Sequence, residues 1–274
     1  MSTVVLLENF KRHFNVNADI GDIKFKKFNV EPYHPLEQDR QFGEKKCLLY
    51  HSDFVAFNVE ISLKILSFTY ESHAEVLKLE INVHNELLSR EMAPCKNFLQ
   101  RKRNMNLVFE VLIKYAKFFE MRRIICRTVL QKQANVITVA DDKGVVVKFF
   151  NEDFSARYLE FTWTITWNVD NYEVSDFIEF YCNYLVLKRQ SGDKIKEKLE
   201  MLVRPDVDFH SKFKLWRLLV QDLYGCESSL QKPRVTTPVS DVMEILDSDS
   251  DESLIEIDRN IYAGPINDEI LVIE

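Results

Sequence analysis

Apolar and polar residues alternate with period two in two places along the chain, and each run is followed by a helical pattern. In the first, Val55, Phe57, Val59, Ile61, Leu63 and Ile65 stand on one face, with Ala56, Asn58, Glu60, Ser62 and Lys64 between them. In the second, Leu159, Phe161, Trp163, Ile165 and Trp167 are separated by Glu160, Thr162, Thr164 and Thr166. Side chains of a strand point to opposite faces in turn, so each run describes a sheet with one dry and one wet face. That is the common state of an antiparallel sheet.

Around the first run, residues 22–30, 47–50, 54–70 and 76–83 read as four strands joined into a meander, with EPYHP at 31–35 as a turn or loop. Ahead of it, Val4, Leu7, Phe10 and Phe14 suggest a short amphipathic helix within residues 1–21. After it, Leu107, Val108, Val111, Leu112, Tyr115, Phe118, Phe119 and Ile125 make a wide apolar stripe at helical spacing. Asn104 suits the N-cap, and Arg122, Arg123 and Arg127 complement the dipole at the far end.

Around the second run, residues 136–139 and 145–150 form a hairpin across DDKG, 157–169 a long strand, and WNVDNY (167–172) a turn. Residues 174–187 read as a strand or a short helix. Residues 193–203 and 209–231 read as helices, the second carrying Phe213, Trp216, Leu219, Val220, Leu223 and Leu230. Strands followed by packed helices, twice over, predict an α+β protein: a helical segment (1–21), two sheet-and-helix modules (22–131 and 132–232) and a tail (233–274). Phe118, Phe119, Trp163 and Trp167 read as core.

Charge separates body from tail. Residues 233–274 hold eleven Asp/Glu against two Arg, a net of −9, which leaves residues 1–232 at +2 of the whole-chain −7. The tail has no apolar stripe long enough for a core and is expected to be disordered alone. It does carry three aliphatic runs among acids: Val242, Met243, Ile245 and Leu246; then Leu254, Ile255 and Ile257; then Ile270, Leu271, Val272 and Ile273. The first is followed directly by DSDSDE (247–252). This pattern resembles SUMO-interacting motifs, in which a short aliphatic strand adds to a sheet edge and acids meet a basic rim. Ser248 and Ser253 each have an acid three residues on, the spacing of acidophilic-kinase sites, and phosphate there would deepen the negative charge.

Signatures of chemistry are sparse. The chain contains no GxGxxG, Walker A, HExxH or GxSxG pattern, and its six glycines are dispersed. Cys47, Cys95, Cys126, Cys182 and Cys226 are an odd set without CxxC spacing, which suggests neither a disulfide framework nor a zinc site. No metal or other cofactor is expected. His13, His34, His51, His73, His84 and His210 fall at loops or strand ends and read as solvated or hydrogen-bonded. Cys182 would be a nucleophile only with a lowered pKa, and reads as a small core residue. The basic clusters QRKR (100–103) and KFKKF (24–28) read as solvated faces, so direct nucleic-acid binding is not expected. No apolar run is long enough to span a bilayer, and the N-terminus lacks a secretory signal pattern. Cytosol or nucleus is the expected compartment.

Five stretches are DIKFKKFNV (22–30), GEKKCLLYHSDFVAFNVEISLKIL (43–66), VFEVLIKYAKFFEMRR (108–123), RYLEFTWTIT (157–166) and FHSKFKLWRLLVQDLYGCESSLQ (209–231). In order and pattern they together resemble the centromere protein P family of inner-kinetochore subunits. The resemblance covers about residues 20–231. It implies tandem RWD domains, modules related to ubiquitin-conjugating enzymes but without catalysis. It further implies a nuclear, centromeric hetero-oligomer in which this chain pairs with centromere protein O and joins centromere proteins Q, U and R. Conjugating enzymes place a nucleophilic Cys after His-Pro-Asn, whereas here His34-Pro35 is followed by Leu36 and no Cys stands within ten residues. The expected function is therefore a non-enzymatic scaffold, with a nuclear SUMO-binding adaptor outside the kinetochore as the alternative.

Overall fold

A computed structural model describes residues 3–18, 20–33, 47–69, 74–183 and 192–225. These residues form two four-stranded antiparallel sheets and six α-helices, an α+β architecture. By their contacts, residues Met1–Ile124, Asp142–Gly144 and Thr164–Phe177 gather into one unit. Ile125–Asp141, Val145–Trp163 and Ile178–Glu274 gather into another.

The first sheet follows chain order: β1 (Ile23–Tyr33), β2 (Cys47–Ala56), β3 (Val59–Thr69) and β4 (Ala74–Val83). The run from Val55 to Ile65 is not one strand. Phe57 and Asn58 both have positive φ (45° and 63°), the conformation of a two-residue hairpin turn whose twist matches that of its strands. Ala56 pairs with Val59 and Phe54 with Ile61, so the dry face changes parity at the turn. Phe54 and Ala56 are buried before it, and Val59, Ile61, Leu63 and Ile65 after it, while Val55 is only half-buried. EPYHP does not begin as a turn or loop either. Glu31, Pro32 and Tyr33 belong to β1, where Pro32 is tolerated because β1 ends the sheet; His34 and Pro35 lie outside the described residues.

The N-terminal helix α1 (Thr3–His13) inserts Phe10 into the dry face. Its ring centroid lies 5.4 Å from Phe28, 5.6 Å from Tyr50 and 6.1 Å from Phe109. Phe109 belongs to α4 (Met105–Ile125), whose Val108, Val111, Leu112, Tyr115, Ala116 and Phe119 are buried. Asn104 accepts from the Leu107 N–H at 3.2 Å, as expected of an N-cap. A π-turn, Cys126–Leu130, continues the helical path.

Two short helices, α2 (Glu86–Glu91) and α3 (Ala93–Lys102), occupy a stretch in which the sequence reading recognised none. The local chemistry is sufficient to start them. Asn85 caps α2 by accepting from Leu88 N–H at 3.0 Å, and Pro94 sits in the first turn of α3, where its missing N–H has no cost.

The second sheet is also in chain order: β5 (Val136–Asp141), β6 (Gly144–Phe150), β7 (Arg157–Asn168) and β8 (Glu173–Cys182). Leu159, Phe161, Trp163 and Ile165 are buried as the alternation predicts, and Trp167 is half-buried. Residues 173–182 are strand rather than helix.

In the second unit, α5 (Gly192–Leu202) and α6 (Phe209–Tyr224) are tied by Lys198 Nζ to Asp222 Oδ2 at 2.6 Å. Trp216 of α6 is fully buried, 4.7 Å from Phe161 and 5.7 Å from Trp163 between ring centroids. The α6 helix stops at Tyr224 because Gly225 adopts φ +85°. The Tyr224 hydroxyl donates to the carbonyls of Phe150 (2.9 Å) and Asn135 (3.2 Å).

Candidate interaction surfaces

The tip of the β7–β8 hairpin is built by asparagines. Asn168 Oδ1 accepts from Asp170 N–H at 2.9 Å, and Asn171 Oδ1 from Glu173 N–H at 3.1 Å, while Asn171 Nδ2 donates to Glu173 Oε2 at 2.9 Å. Such side-chain turns hold the backbone without a ladder bond. Here they hold Tyr172 at φ +57°, an uncommon state for an aromatic residue. Its ring lies 5.5 Å from Phe98 of α3 and 6.1 Å from Trp167, and those two rings are 5.7 Å apart. Lys102 Nζ stands 5.7 Å over the Phe98 ring. Val169 (50%), Phe177 (48%) and Tyr172 (43%) are, with Val5, the most exposed large apolar residues among those described in this unit. The hairpin therefore presents an aromatic surface on a turn whose backbone is fixed, which favours recognition because little order has to be gained on binding.

Within the same unit lies an ion pair almost sealed from solvent. Arg122 donates to Glu91 through Nη1–Oε1 (2.7 Å) and Nη2–Oε2 (2.6 Å), and the two side chains are 2% and 1% exposed. Glu91 Oε1 also accepts from the Ile165 backbone N–H at 3.0 Å. The β6–β7 register begins at Val145↔Trp163, so Ile165 lies beyond it and the carboxylate takes over its amide. The Phe119 ring packs 5.6 Å from the guanidinium carbon. Arg122 stands in the last turn of α4, where its charge complements the helix dipole, and its side chain is also buried and paired. It reaches inward because Glu91 on α2 supplies a bidentate partner.

Burial pushes the Cys95 thiol up to about 12 and that of Cys182 up to about 11, so neither is a thiolate at neutral pH. Cys182 Sγ lies 3.6 Å from the Asn183 carbonyl. Burial also raises the Tyr115 phenol, whose hydroxyl has no hydrogen-bond partner among the described residues. His84 Nε2 is 2.8 Å from Ser62 Oγ, and His51 Nε2 is 3.5 Å from Glu31. His34, His73 and Cys226 lie outside the described residues. Among the described residues, no group of three or more His, Cys, Asp or Glu side chains is placed to hold a metal ion.

The two basic clusters differ. In QRKR, Gln100 donates to the Leu79 carbonyl (3.1 Å), Arg101 to Asn97 (3.3 Å) and Arg103 to Val76 (3.4 Å). The residues expected to form a solvated face thus also fasten α3 to β4 and to itself. In KFKKF, Lys24, Lys26 and Lys27 are all exposed on β1, with a bulge between Phe25 and Lys27 and an ion pair from Lys26 to Glu60.

Every tail residue singled out for SUMO recognition, from Val242 to Ile273, lies outside the described residues, as do Ser248 and Ser253. A scan against protein-family models finds no match, and a search of curated proteins finds none.

Proposed function

We propose that this chain is a non-enzymatic scaffold subunit of the inner kinetochore, built from two RWD-type modules, that pairs with a second RWD protein of the centromere protein O kind. Centromere proteins Q, U and R would complete the nuclear, centromeric hetero-oligomer. The observation that carries this reading is the repeated plan: two four-stranded meanders in strict chain order, each followed by helices. Where they are described, the stretches that resemble the centromere protein P family fall mainly on strands and helices of both halves. The exposed Tyr172 and Val169 at the hairpin tip, and the exposed Phe177 farther along β8, are apolar positions of the type that a partner's sheet or helix covers.

The test is purification of the tagged full chain from dividing cells, with its associated proteins identified. Recovery of centromere protein O and its neighbours supports the reading, and their loss on Tyr172→Asp with Phe177→Asp assigns the surface. An intact chain recovered with no centromere subunit overturns it.

The tail favours a second reading, a SUMO-binding adaptor acting in the nucleus outside the kinetochore. Its basis is the aliphatic run 242–246 followed by six residues of which four are acids. Equal capture on poly-SUMO of the wild-type chain and of Ile245→Ala with Leu246→Ala removes this reading.

A further inference from the structure

The β7–β8 turn sets negative charge beside its aromatic surface. Asp170 and Glu173 stand on either side of Tyr172 in the chain, and all three are exposed, as is Val169. Residues 164–177, which gather into the first unit, hold three acids (Asp170, Glu173 and Asp176) and no Lys or Arg. The Glu173 carboxylate accepts from the neutral Asn171 amide, which leaves its charge uncompensated. Asp170 has no ion-pair partner among the described residues. Two uncompensated negative charges therefore border the cluster of Phe98, Trp167 and Tyr172 on its hairpin side. On its α3 side stand Arg101 and Lys102, with Lys102 Nζ over the Phe98 ring.

Exposed rings are covered by apolar side chains or by cations, which the ring faces attract. The acids select among possible occupants. They repel a nucleic acid or an acidic segment at the tip, and they draw Lys and Arg. We propose that the β7–β8 tip docks a basic, amphipathic segment of a partner protein, with an apolar anchor against Trp167 and Tyr172 and its Lys or Arg side chains against Asp170 and Glu173. The inference rests on the reading of this hairpin as a partner surface and adds the partner's chemistry. The α3 end fixes the orientation, because Lys102 keeps the partner's bases away from the helix and on the turn. The side-chain turns that hold Tyr172 at φ +57° present this surface ready-made, so the protein gives up little freedom when the segment binds.

Amide hydrogen exchange on the full chain tests it, with a synthetic peptide of about 16 residues, Leu and Arg at amphipathic helical spacing, as the probe. At about ten times its dissociation constant, this peptide is expected to slow exchange at the amides of 169–173 about tenfold. Asp170→Lys with Glu173→Gln is expected to abolish the slowing at the same concentration. The glutamine oxygen can still accept from Asn171, so the turn should survive, and unchanged exchange in β3 without peptide serves as the check. Lys102→Glu is expected to deepen the slowing, since it removes the competing cation. The acidic tail also attracts this peptide, and reading the hairpin amides themselves keeps the two apart. The proposal is overturned by no slowing at the hairpin, by equal slowing with a Leu/Glu peptide or a dT oligonucleotide, or by slowing that survives the Asp170 and Glu173 substitutions. Slowing without peptide that rises with protein concentration also overturns it, by assigning the tip to a second copy. Each of these results leaves the co-purification test of the kinetochore reading standing, and a chain recovered without centromere subunits leaves this inference standing.

Discussion

Both units have aromatic cores, but they differ in what is buried beside the rings. In the first, a carboxylate and a guanidinium are buried together, and Glu91 uses its spare capacity on the Ile165 amide. In the second, Trp216 lies against Phe161 and Trp163, with Tyr224 adding polar ties at the margin. A buried charge pair is directional, and it penalises any arrangement that leaves one partner alone. An aromatic stack gains mainly from area removed from water and tolerates reshaping better. The meander plan is therefore compatible with either solution, and the difference should be visible in how each core responds to substitution.

The largest effects should come from emptying each core. Arg122→Ala is expected to cost about 3–5 kcal/mol because it strands Glu91, and Trp216→Ala about 3–5 kcal/mol through the cavity it leaves. Chemical denaturation followed by circular dichroism reads both. The conservative variants sharpen the contrast. Trp216→Phe should recover much of the loss, whereas Arg122→Lys should recover little, because an ammonium cannot reproduce the bidentate geometry. Equal rescue at both sites would show that the first core is held by packing alone.

A smaller effect is expected at the margin of the second core. Tyr224→Phe removes the donor to the Phe150 and Asn135 carbonyls and should cost about 0.5–1.5 kcal/mol in the same assay.

The β2–β3 turn should respond in the other direction. Phe57 holds a left-handed conformation that asparagine adopts more readily, so Phe57→Asn is expected to stabilise the first unit by about 0.5–1 kcal/mol. A loss instead would mean that the half-buried Phe57 ring packs more than it strains.

The mildest test is one of pH. Asp208 caps α6, and the Ser211 hydroxyl and backbone N–H that it accepts from hold its carboxyl below the usual range. The unfolded chain therefore takes up this proton first as pH falls. The cap's contribution is complete above the ordinary carboxylate range and is lost as pH drops through the lowered folded value. Asp208→Asn should keep the cap and lose this acid sensitivity, which thermal melts across the acid range will reveal.

Much of the architecture can be read along the chain. The alternation of Leu159 to Ile165, the stripe on α4, the Asn104 cap and the strand order of both meanders all follow from local pattern. The β2–β3 hairpin does not, for a specific reason. A two-residue turn moves the dry face from even to odd positions, and Val55 and Phe57 are apolar enough to make the odd positions look continuous. Helices α2 and α3 are short, and their few apolar positions give no stripe for a periodicity search.

The candidate surfaces divide in the same way. An aliphatic run beside acids is a property of covalent order, so the tail's chemistry is visible in one dimension. The aromatic surface joins Phe98 with Trp167 and Tyr172, residues about seventy positions apart, and only folding assembles it. The sequence alone determined the period of each strand, the faces of the long helices and the separation of a near-neutral body from an acidic tail, because all three depend on neighbours along the chain. Tertiary structure alone decided that Arg122 turns inward to Glu91, that Glu91 holds Ile165, and that the lysines of β1 lie on an edge strand. Burial, pairing and edge position are relations between distant segments, and no local pattern encodes them.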